Sequence, residues 1–417
     1  MISDAYADVP ELHSTYCYDA QLFLFEILNG AAPGYDPTLR VTMDLIVAKK
    51  DLLRLVGRAQ AIADKKSTMP VLSNVLLDAR GPSLAVRATD LYLSVSGEIP
   101  AEIKRPGAIA VPARDLHERI KYLAEGPVRL HSENGTQLEI RAQGTARQYR
   151  LHGVPGSEFP ALPQPEAGAP RLALPATLLS TFIVRTQFSI SPDDTRPNLN
   201  SALFEWTESR LRMVTTDGHR LSKIEAPHES PARASMLIPL KAVLELRRLA
   251  DEARGDGSGV VTLIPSASSA FFEVTGGLFG VKLIDAQFPA YDKVIPAASA
   301  RTARIPRAAF ADALKAMNLA ASDRTGGIKL ALTSGTLRLS SESPESGDGM
   351  DEVPVDYTGA DLTIGFNAKY FLDVLGALDG VDEITLGLSG ELDPAVGRPA
   401  GDDGGRDYLA VVMPMRI

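Results

Sequence analysis

The feature that most constrains this chain is a pattern that occurs three times. The segment LSNVLLDARGPSLAVRATDLYLSVS (Leu72–Ser96) aligns with LNSALFEWTESRLRMVTTDGHRLSK (Leu199–Lys223), about 127 residues later. A third copy, IKLALTSGTLRLSSES (Ile328–Ser343), keeps two strands but lacks the Thr-Asp turn. This period is far longer than the roughly 20–50 residues of a solenoid repeat. The 417 residues are therefore expected to form a triplicated domain rather than one core.

Each repeat combines amphipathic helices with alternating strands, which predicts an α+β fold with two helices packed on antiparallel sheets in each domain. Pro112 and Pro239 stand where a helix starts, and Asn367 is a suitable N-cap. Apolar residues at helical spacing predict six helices, at Ala48–Lys66, Ala113–Glu125, Ala176–Phe188, Leu240–Arg254, Arg307–Arg324 and Ala368–Asp379.

Domain boundaries follow from the repeats and from two short linkers rich in Pro and Ala, Leu162–Arg171 and Pro296–Ala303. Residues 1–42 lie outside the repeat. We expect a disordered N-terminal extension there, or an upstream start that is not used, in preference to an ordered functional arm. The three domains are expected at residues 43–165, 170–297 and 302–417.

Charge is distributed unevenly along the chain. The net charge is −9, which by itself argues against a nucleic-acid partner. The six predicted helices, however, hold 18 Lys and Arg against 12 Asp and Glu, so they carry +6 and the remainder carries −15. A solvated helix face is the usual reason for such residues. Combined with the triplication, basic helices in an acidic body favour a ring that presents helices to a polyanion.

Several classes of protein are excluded by composition. The single cysteine, Cys17, excludes an intramolecular disulfide and fits a reducing cytoplasm, and no Cys/His cluster has zinc spacing. No apolar run approaches the roughly 18 residues of a membrane span. The apolar segment Ala20–Leu28 has no basic residues before it, so it is a poor signal peptide.

The turn in VTTDGHRLSK (Val214–Lys223) raises the question of catalysis. Asp217 and His219 could be half of a triad, and a hydrolase that uses them is one hypothesis, but no Gly-x-Ser-x-Gly elbow accompanies them. One Asp and one His are too few ligands for a metal site. A purely structural turn is another alternative, and a binding groove is the one we favour.

Four motifs in order, KSTMPVLSNVLL, TTDGHRLS, FPAYDKVIP and YLAVVMPMRI, carry a resemblance to a known family. From about Met43 to Ile417 the chain resembles the bacterial DNA polymerase III beta subunits, the β sliding clamps. The resemblance implies the DNA-clamp fold and a head-to-tail homodimer, in which three domains from each chain form a six-domain ring with helices lining the hole. It implies a non-enzymatic processivity factor that encircles double-stranded DNA without reading its sequence, with no catalytic residue, metal or cofactor.

The family also implies a cleft between the second and third domains, where the replicative polymerase, the clamp loader and repair polymerases dock linear peptides. Its apolar residues would form an adaptable floor, with His219 and Arg220 meeting the peptide's polar atoms at the rim. The matching positions are Leu199, Thr216, Gly218, His219, Arg220, Leu221, Pro289, Lys293, Val294, Tyr370, Val411, Val412, Met413, Pro414 and Met415.

DNA and dimer contacts are implied in the same way. In the Asp193–Asn198 loop only Arg196 is basic, and Pro197 and Asn198 stand where relatives often have aromatic residues. In the dimer, Tyr149 and Leu151 would face Leu319 and Ala320 of a partner chain. The candidate DNA contacts are Lys66, Arg196, Lys49, Lys50, Arg54, Arg58, Arg247 and Arg248.

One alternative within the family stays open. The N-terminal extension, Lys293 in the cleft and the acidic segment Ser343–Glu352 would also suit a divergent clamp paralogue with specialised partners or inhibitor resistance.

Overall fold

A computed structural model describes residues 42–416, except 65–66, 230–232, 256, 258, 322–325 and 345–346. The extension predicted at residues 1–42 lies almost wholly outside the described residues. No helix in the described ranges is long and apolar enough to cross a bilayer. The chain forms two compact units. One extends to Gln164 and includes Gly276–Gly280, and the other comprises Pro165–Thr275 with Val281–Ile417.

The first unit contains the first repeat. Its strands are β1 Met43–Ala48, β2 Asn74–Arg80, β3 Ser83–Thr89, β4 Leu93–Arg105, β5 Gly107–Pro112, β6 Pro127–Ser132, β7 Gln137–Ala142, β8 Gln148–His152 and β9 Val154–Pro155, and its helices are α1 Lys49–Ile62 and α2 Ala113–Lys121. The strands pair antiparallel in the order β9-β5-β2-β3-β4-β1-β6-β7-β8. The two helices pack against each other, and α1 also packs on β3 and β4.

The second unit contains the second and third repeats. The second repeat has β10 Leu172–Pro175, α3 Ala176–Thr186, β11 Ser201–Trp206, β12 Arg210–Thr216, β13 Arg220–Pro227, β14 Ala234–Pro239, α4 Leu240–Gly255, β15 Val260–Pro265, β16 Ser269–Val274 and β17 Gly277–Lys282, of which β17 belongs in part to each unit. The third repeat has β18 Arg301–Pro306, α5 Arg307–Asn318, β19 Gly327–Thr333, β20 Thr336–Ser343, β21 Gly347–Pro354, β22 Leu362–Asn367, α6 Ala368–Ala377, β23 Glu383–Leu388, β24 Ala395–Pro399 and β25 Asp407–Val412.

The predicted α+β class is confirmed, with helices packed on antiparallel sheets. Asn367 caps α6 as predicted, because its side chain accepts a hydrogen bond from the Lys369 amide at 2.9 Å. Five of the six helices end earlier than predicted, α3 and α6 at Thr186 and Ala377 and α1, α2 and α5 at Ile62, Lys121 and Asn318. After α1 the backbone of Ala63 turns to ψ 124°, and after α5 the Leu319 amide bonds to the carbonyl three residues back, which tightens the last turn.

One sheet of eight strands, in the order β14-β11-β12-β13-β25-β24-β23-β18, runs through both repeats of the second unit. Because β13 pairs with β25, Leu221 lies opposite Val411 and the C-terminal segment lies beside the turn between β12 and β13. One face of this sheet carries an apolar cluster, and residues 284–295 cover it. The buried members of the apolar cluster are Leu203, Val214, Leu221, Leu237, Tyr291, Val396, Leu409 and Val411, with Ile284, Phe288 and Ile295 packed against them.

Candidate functional site

The Asp217 turn, residues 216–220, is closed by its own side chains. One Asp217 carboxylate oxygen accepts hydrogen bonds from the amides of His219 and Arg220 at 2.9 and 3.0 Å. The Thr216 hydroxyl donates to the Arg220 carbonyl at 2.7 Å and accepts from the Gly218 amide at 3.1 Å. Gly218 has a φ of 91°, which suits a residue without a Cβ. The Asp217 carboxylate therefore stabilises the turn.

The first unit contains the same turn at its equivalent position. Asp90 accepts from the amides of Tyr92 and Leu93 at 2.9 and 2.6 Å, and the Thr89 hydroxyl donates to the Leu93 carbonyl at 2.8 Å. Leu91, in the position of Gly218, has a φ of 74°. Two copies of a Thr-Asp turn with one hydrogen-bond pattern show that the motif encodes a turn. This corrects the hypothesis that Asp217 and His219 form half of a catalytic site.

The Arg220 guanidinium is held by three groups and is only 10% exposed. Its Nε donates to Asp217 at 3.0 Å, and its two Nη atoms donate to Asp373 and to the Phe188 carbonyl, each at 2.5 Å. It also lies 4.7 Å from the centroid of the Tyr370 ring, in a cation–π contact. The donors of Arg220, which was expected to meet a peptide at the rim, are therefore taken up by groups of this chain. Arg220 instead joins the second repeat to α6 of the third.

A second buried ion pair joins the same two repeats. Arg185 of α3 binds the Asp403 carboxylate through both Nη atoms, one of them at 2.9 Å, and Arg406 donates to it at 3.3 Å. Arg185 also lies over the Tyr408 ring. Burial by itself would raise the pKa of Asp403, but hydrogen bonds from Arg185 and Arg406 outweigh it and lower the pKa below its usual value.

We expect Asp403→Asn to destabilise the second unit by about 1.5–3 kcal/mol at pH 7, the usual contribution of a hydrogen bond to a charged group. Because the folded-state pKa of Asp403 is lowered, its stabilisation is complete above the unfolded pKa of about 3.9 and is lost as pH falls through the folded value. Urea unfolding at pH 7 and at pH 3 should therefore show a difference between wild type and variant that shrinks in acid. Asp402→Asn, one residue away, is the matched control, and an equal loss in both variants would contradict the assignment.

The predicted cleft residues lie on both faces of the eight-stranded sheet of the second unit, the central sheet. Leu221 and Val411 belong to the apolar cluster on one face. Val412 follows Val411 in β25, so alternation places it on the opposite face, where it is 1% exposed. The prediction that both valines line one surface is therefore wrong for Val412.

Most of the remaining predicted residues are partly or fully exposed, and Pro289, Lys293 and Val294 lie between Phe288 and Ile295, which pack against the cluster. His219 is exposed and stacks on the Tyr370 ring, with centroids 6.3 Å apart. The C-terminal segment runs beside them, because the Met413 amide donates to the His219 carbonyl at 2.9 Å and the Met415 amide to the Gly365 carbonyl at 2.8 Å. Lys293 and Val294 are exposed, whereas Thr216 is buried. The partly exposed members are Leu199, Pro289, Tyr370, Met413, Pro414 and Met415.

Sequence reasoning missed Asp373 and Tyr291. Asp373 lies 153 residues from Arg220 in the chain, so no local pattern could pair them. Tyr291 lies within the motif FPAYDKVIP, and an aromatic residue between two prolines was the available signal.

Two candidate DNA contacts in α1 are buried. Lys49 donates to the Leu123 carbonyl at 2.7 Å and to Glu125 at 2.6 Å, and Arg58 is 2% exposed. Both therefore lie on the side of α1 that packs into the first unit, and their prediction as phosphate contacts is wrong for this structure. Lys66 lies outside the described residues.

The other candidate DNA contacts reach the surface to different degrees. Lys50 is exposed, Arg54 is partly exposed with Asp51 3.9 Å away, and Arg247 is partly exposed. Two more are exposed but paired: Arg196 with Asp193 at 2.7 Å, and Arg248 with Glu245 and Glu252.

Of the predicted dimer contacts, Leu319 fits best. It is 83% exposed directly after α5, and the neighbouring Ala320 is partly exposed. Tyr149 in β8 is partly exposed, but Leu151 is 4% exposed because it packs in the first unit. The structure therefore corrects Leu151 from an interface residue to a core residue.

Comparison with known proteins identifies the family. Residues 43–163, 173–290 and 292–416 match the N-terminal, central and C-terminal domains of the DNA polymerase III beta subunit. The chain is 33% identical to the beta sliding clamp of Caulobacter vibrioides over 344 residues, covering 81% of this chain and 91% of that protein. It is also 33% identical to the clamp of Pseudomonas putida over 381 residues, which cover 90% of this chain and 100% of that protein.

Solved structures agree with these matches. The DNA polymerase III subunit beta of Pseudomonas aeruginosa superposes with a TM-score of 0.83 at 30% identity, over 90% of this chain and all of that one. A sliding clamp of Bartonella birtlesii bound to griselimycin superposes with a TM-score of 0.82 at 33% identity, with the same coverage. The resemblance predicted from the four motifs is confirmed, and the chain belongs to the DNA polymerase III beta subunit family of sliding clamps, which are non-catalytic processivity factors.

Proposed function

We propose that the surface above the apolar cluster binds short linear peptides of the replicative polymerase, the clamp loader and repair polymerases. The observation that carries this proposal is that Phe288 and Ile295 pack against the buried cluster while Lys293 and Val294, which lie between them in the chain, are exposed. A largely apolar surface with a few polar groups at its rim is typical of peptide recognition. In this arrangement Leu221 and Val411 support the surface from below.

We propose further that two chains close head to tail into a six-domain ring around duplex DNA in the cytoplasm, with the domains bounded at residues 43–165, 170–297 and 302–417. Contacts from Lys50, Arg54, Lys66, Arg196, Arg247 and Arg248 to phosphates would be weak, sequence-independent and sensitive to salt. Enclosure keeps the ring on DNA while it slides. A polymerase bound to the ring then has a high effective concentration at the template, which gives processivity.

Charge on two edge strands supports the head-to-tail contact. β8 ends the strand order of the first unit. Exposed Arg150 lies in this strand, and exposed Arg147 lies directly before it. β21 ends the four-stranded sheet β21-β20-β19-β22, and it holds most of the acidic segment Ser343–Glu352, with Asp348 exposed and Asp351 partly exposed. Opposite charges on the two edges favour pairing of β8 with β21 of a second chain, and Tyr149 would then approach Leu319.

The peptide surface is tested by Val294→Asp. The bound peptide would bury the new carboxylate at an apolar contact. Binding should weaken by at least about tenfold, because an unpaired charge costs more than about 1.4 kcal/mol to desolvate. Fluorescence anisotropy with a labelled polymerase peptide measures the affinity, and primer extension should show shorter products.

Val260→Asp is the matched control for this test, since Val260 in β15 is 45% exposed and Val294 is 43% exposed. Equal peptide affinity for Val294→Asp and wild type would overturn the proposed site.

A further inference from the structure

The segment Phe288–Ile295 supplies Pro289, Lys293 and Val294 to the proposed peptide surface, yet it is not a strand of the sheet. The backbone hydrogen bonds donated by Tyr291 and Lys293 end within the segment, at the carbonyls of Pro289 (2.7 Å) and Ala290 (3.2 Å). Its position on the sheet therefore depends on side chains.

Tyr291 is the residue of this segment whose side chain is buried in the apolar cluster on the sheet. It is 7% exposed within the apolar cluster, and Phe288 packs against its ring edge to face, with centroids 6.1 Å apart. Its hydroxyl accepts a hydrogen bond from Nη1 of Arg212 at 2.8 Å. Arg212 is thus the polar group that binds the buried hydroxyl of Tyr291.

Arg212 is itself held on both sides. It lies opposite Glu205 on β11 and opposite Glu225 on β13. Its Nε donates to Glu225 at 2.6 Å and its Nη1 lies 3.4 Å from Glu205. Glu225 is 4% exposed and is held in turn by Arg210 and Lys223. The planar guanidinium of Arg212 directs its Nε to Glu225 and its Nη1 to Tyr291 in a fixed relative geometry.

We propose that Arg212 is a positioning residue for the peptide surface: through the Tyr291 hydroxyl it fixes the Phe288–Ile295 segment on the central sheet. This inference rests on the proposed function of that surface. Arg212 does not touch the peptide. It acts by ordering the segment before the peptide binds, so that less conformational entropy is lost on binding.

The test compares Arg212→Met, Tyr291→Phe and their double variant. Arg210→Met is the matched control, because Arg210 lies two residues along the same strand and donates to the same Glu225 at 3.0 Å. We expect Arg212→Met and Tyr291→Phe each to weaken binding of the labelled polymerase peptide by about three- to tenfold, as for loss of one buried hydrogen bond. The double variant should bind no more weakly than Arg212→Met, because each single change already removes the hydrogen bond between Arg212 and the Tyr291 hydroxyl.

Hydrogen exchange separates positioning from general destabilisation. Amides in Phe288–Ile295 should exchange faster in Arg212→Met than in Arg210→Met. The proposal is overturned if Arg212→Met and Arg210→Met have the same peptide affinity and the same hydrogen exchange in this segment. It is also overturned if the losses of affinity in Arg212→Met and Tyr291→Phe add in the double variant. If instead Val294→Asp binds peptide as wild type does, the proposed surface itself is wrong. If Val294→Asp abolishes binding while Arg212→Met leaves it unchanged, only the positioning role fails.

Discussion

Replacing Arg220 with methionine is expected to lower the free energy of unfolding of the second unit by about 3–5 kcal/mol, the range found when one partner of a buried ion pair is removed. The variant leaves Asp217 and Asp373 without the cation that neutralises both, and it leaves the Phe188 carbonyl without a donor. Because this contact joins α6 to the Asp217 turn, the peptide affinity should fall as well. Urea unfolding and peptide anisotropy measure the two effects.

Arg196→Met is the control for this loss. Arg196 also pairs with an aspartate three residues away, Asp193, but its side chain is 50% exposed. Pairs of that kind contribute about 0–1 kcal/mol because water screens them. If both variants lost the same stability, Arg220 would not be the link between the repeats that the structure indicates.

Replacing Leu319 with serine is expected to weaken the proposed dimer by about 30-fold or more. Burial of an exposed leucine side chain contributes about 2 kcal/mol, which corresponds to that ratio. Sedimentation at micromolar concentration should then show a shift from dimer toward the 44.6 kDa monomer.

The same substitution at Leu392 is the control, because Leu392 is 68% exposed in the same repeat and lies outside the proposed contact. A Leu319→Ser chain that stays as dimeric as Leu392→Ser would exclude Leu319 from the interface.

The starts of the helices could be predicted from the sequence, because they depend on neighbouring residues. Five of the six helices begin at the predicted residue, and α1 begins one residue later. The ends were less predictable: α1 was expected to reach Lys66 but stops at Ile62, because Ala63 adopts an extended ψ. Helix ends depend on where the chain must turn to pack, and apolar periodicity does not contain that information.

The roles of charged residues could not be predicted in the same way. Lys49 and Lys50 are adjacent in sequence, yet Lys49 is buried against Glu125 and Lys50 is exposed. Only the packing of α1 decides which side of the helix faces water. Arg220 illustrates the same point at longer range, since its partner Asp373 lies on another repeat.

The sequence by itself determined the triplication, the α+β class and the family, because each is written in local periodicity or in contiguous motifs such as TTDGHRLS and FPAYDKVIP. The tertiary structure alone decided that Asp217 closes a turn, that Val411 and Val412 face opposite ways, and that Arg212 reaches Tyr291. The physical reason is that hydrogen bonds and ion pairs act over a few ångströms in space, whereas their partners lie up to hundreds of residues apart in the chain.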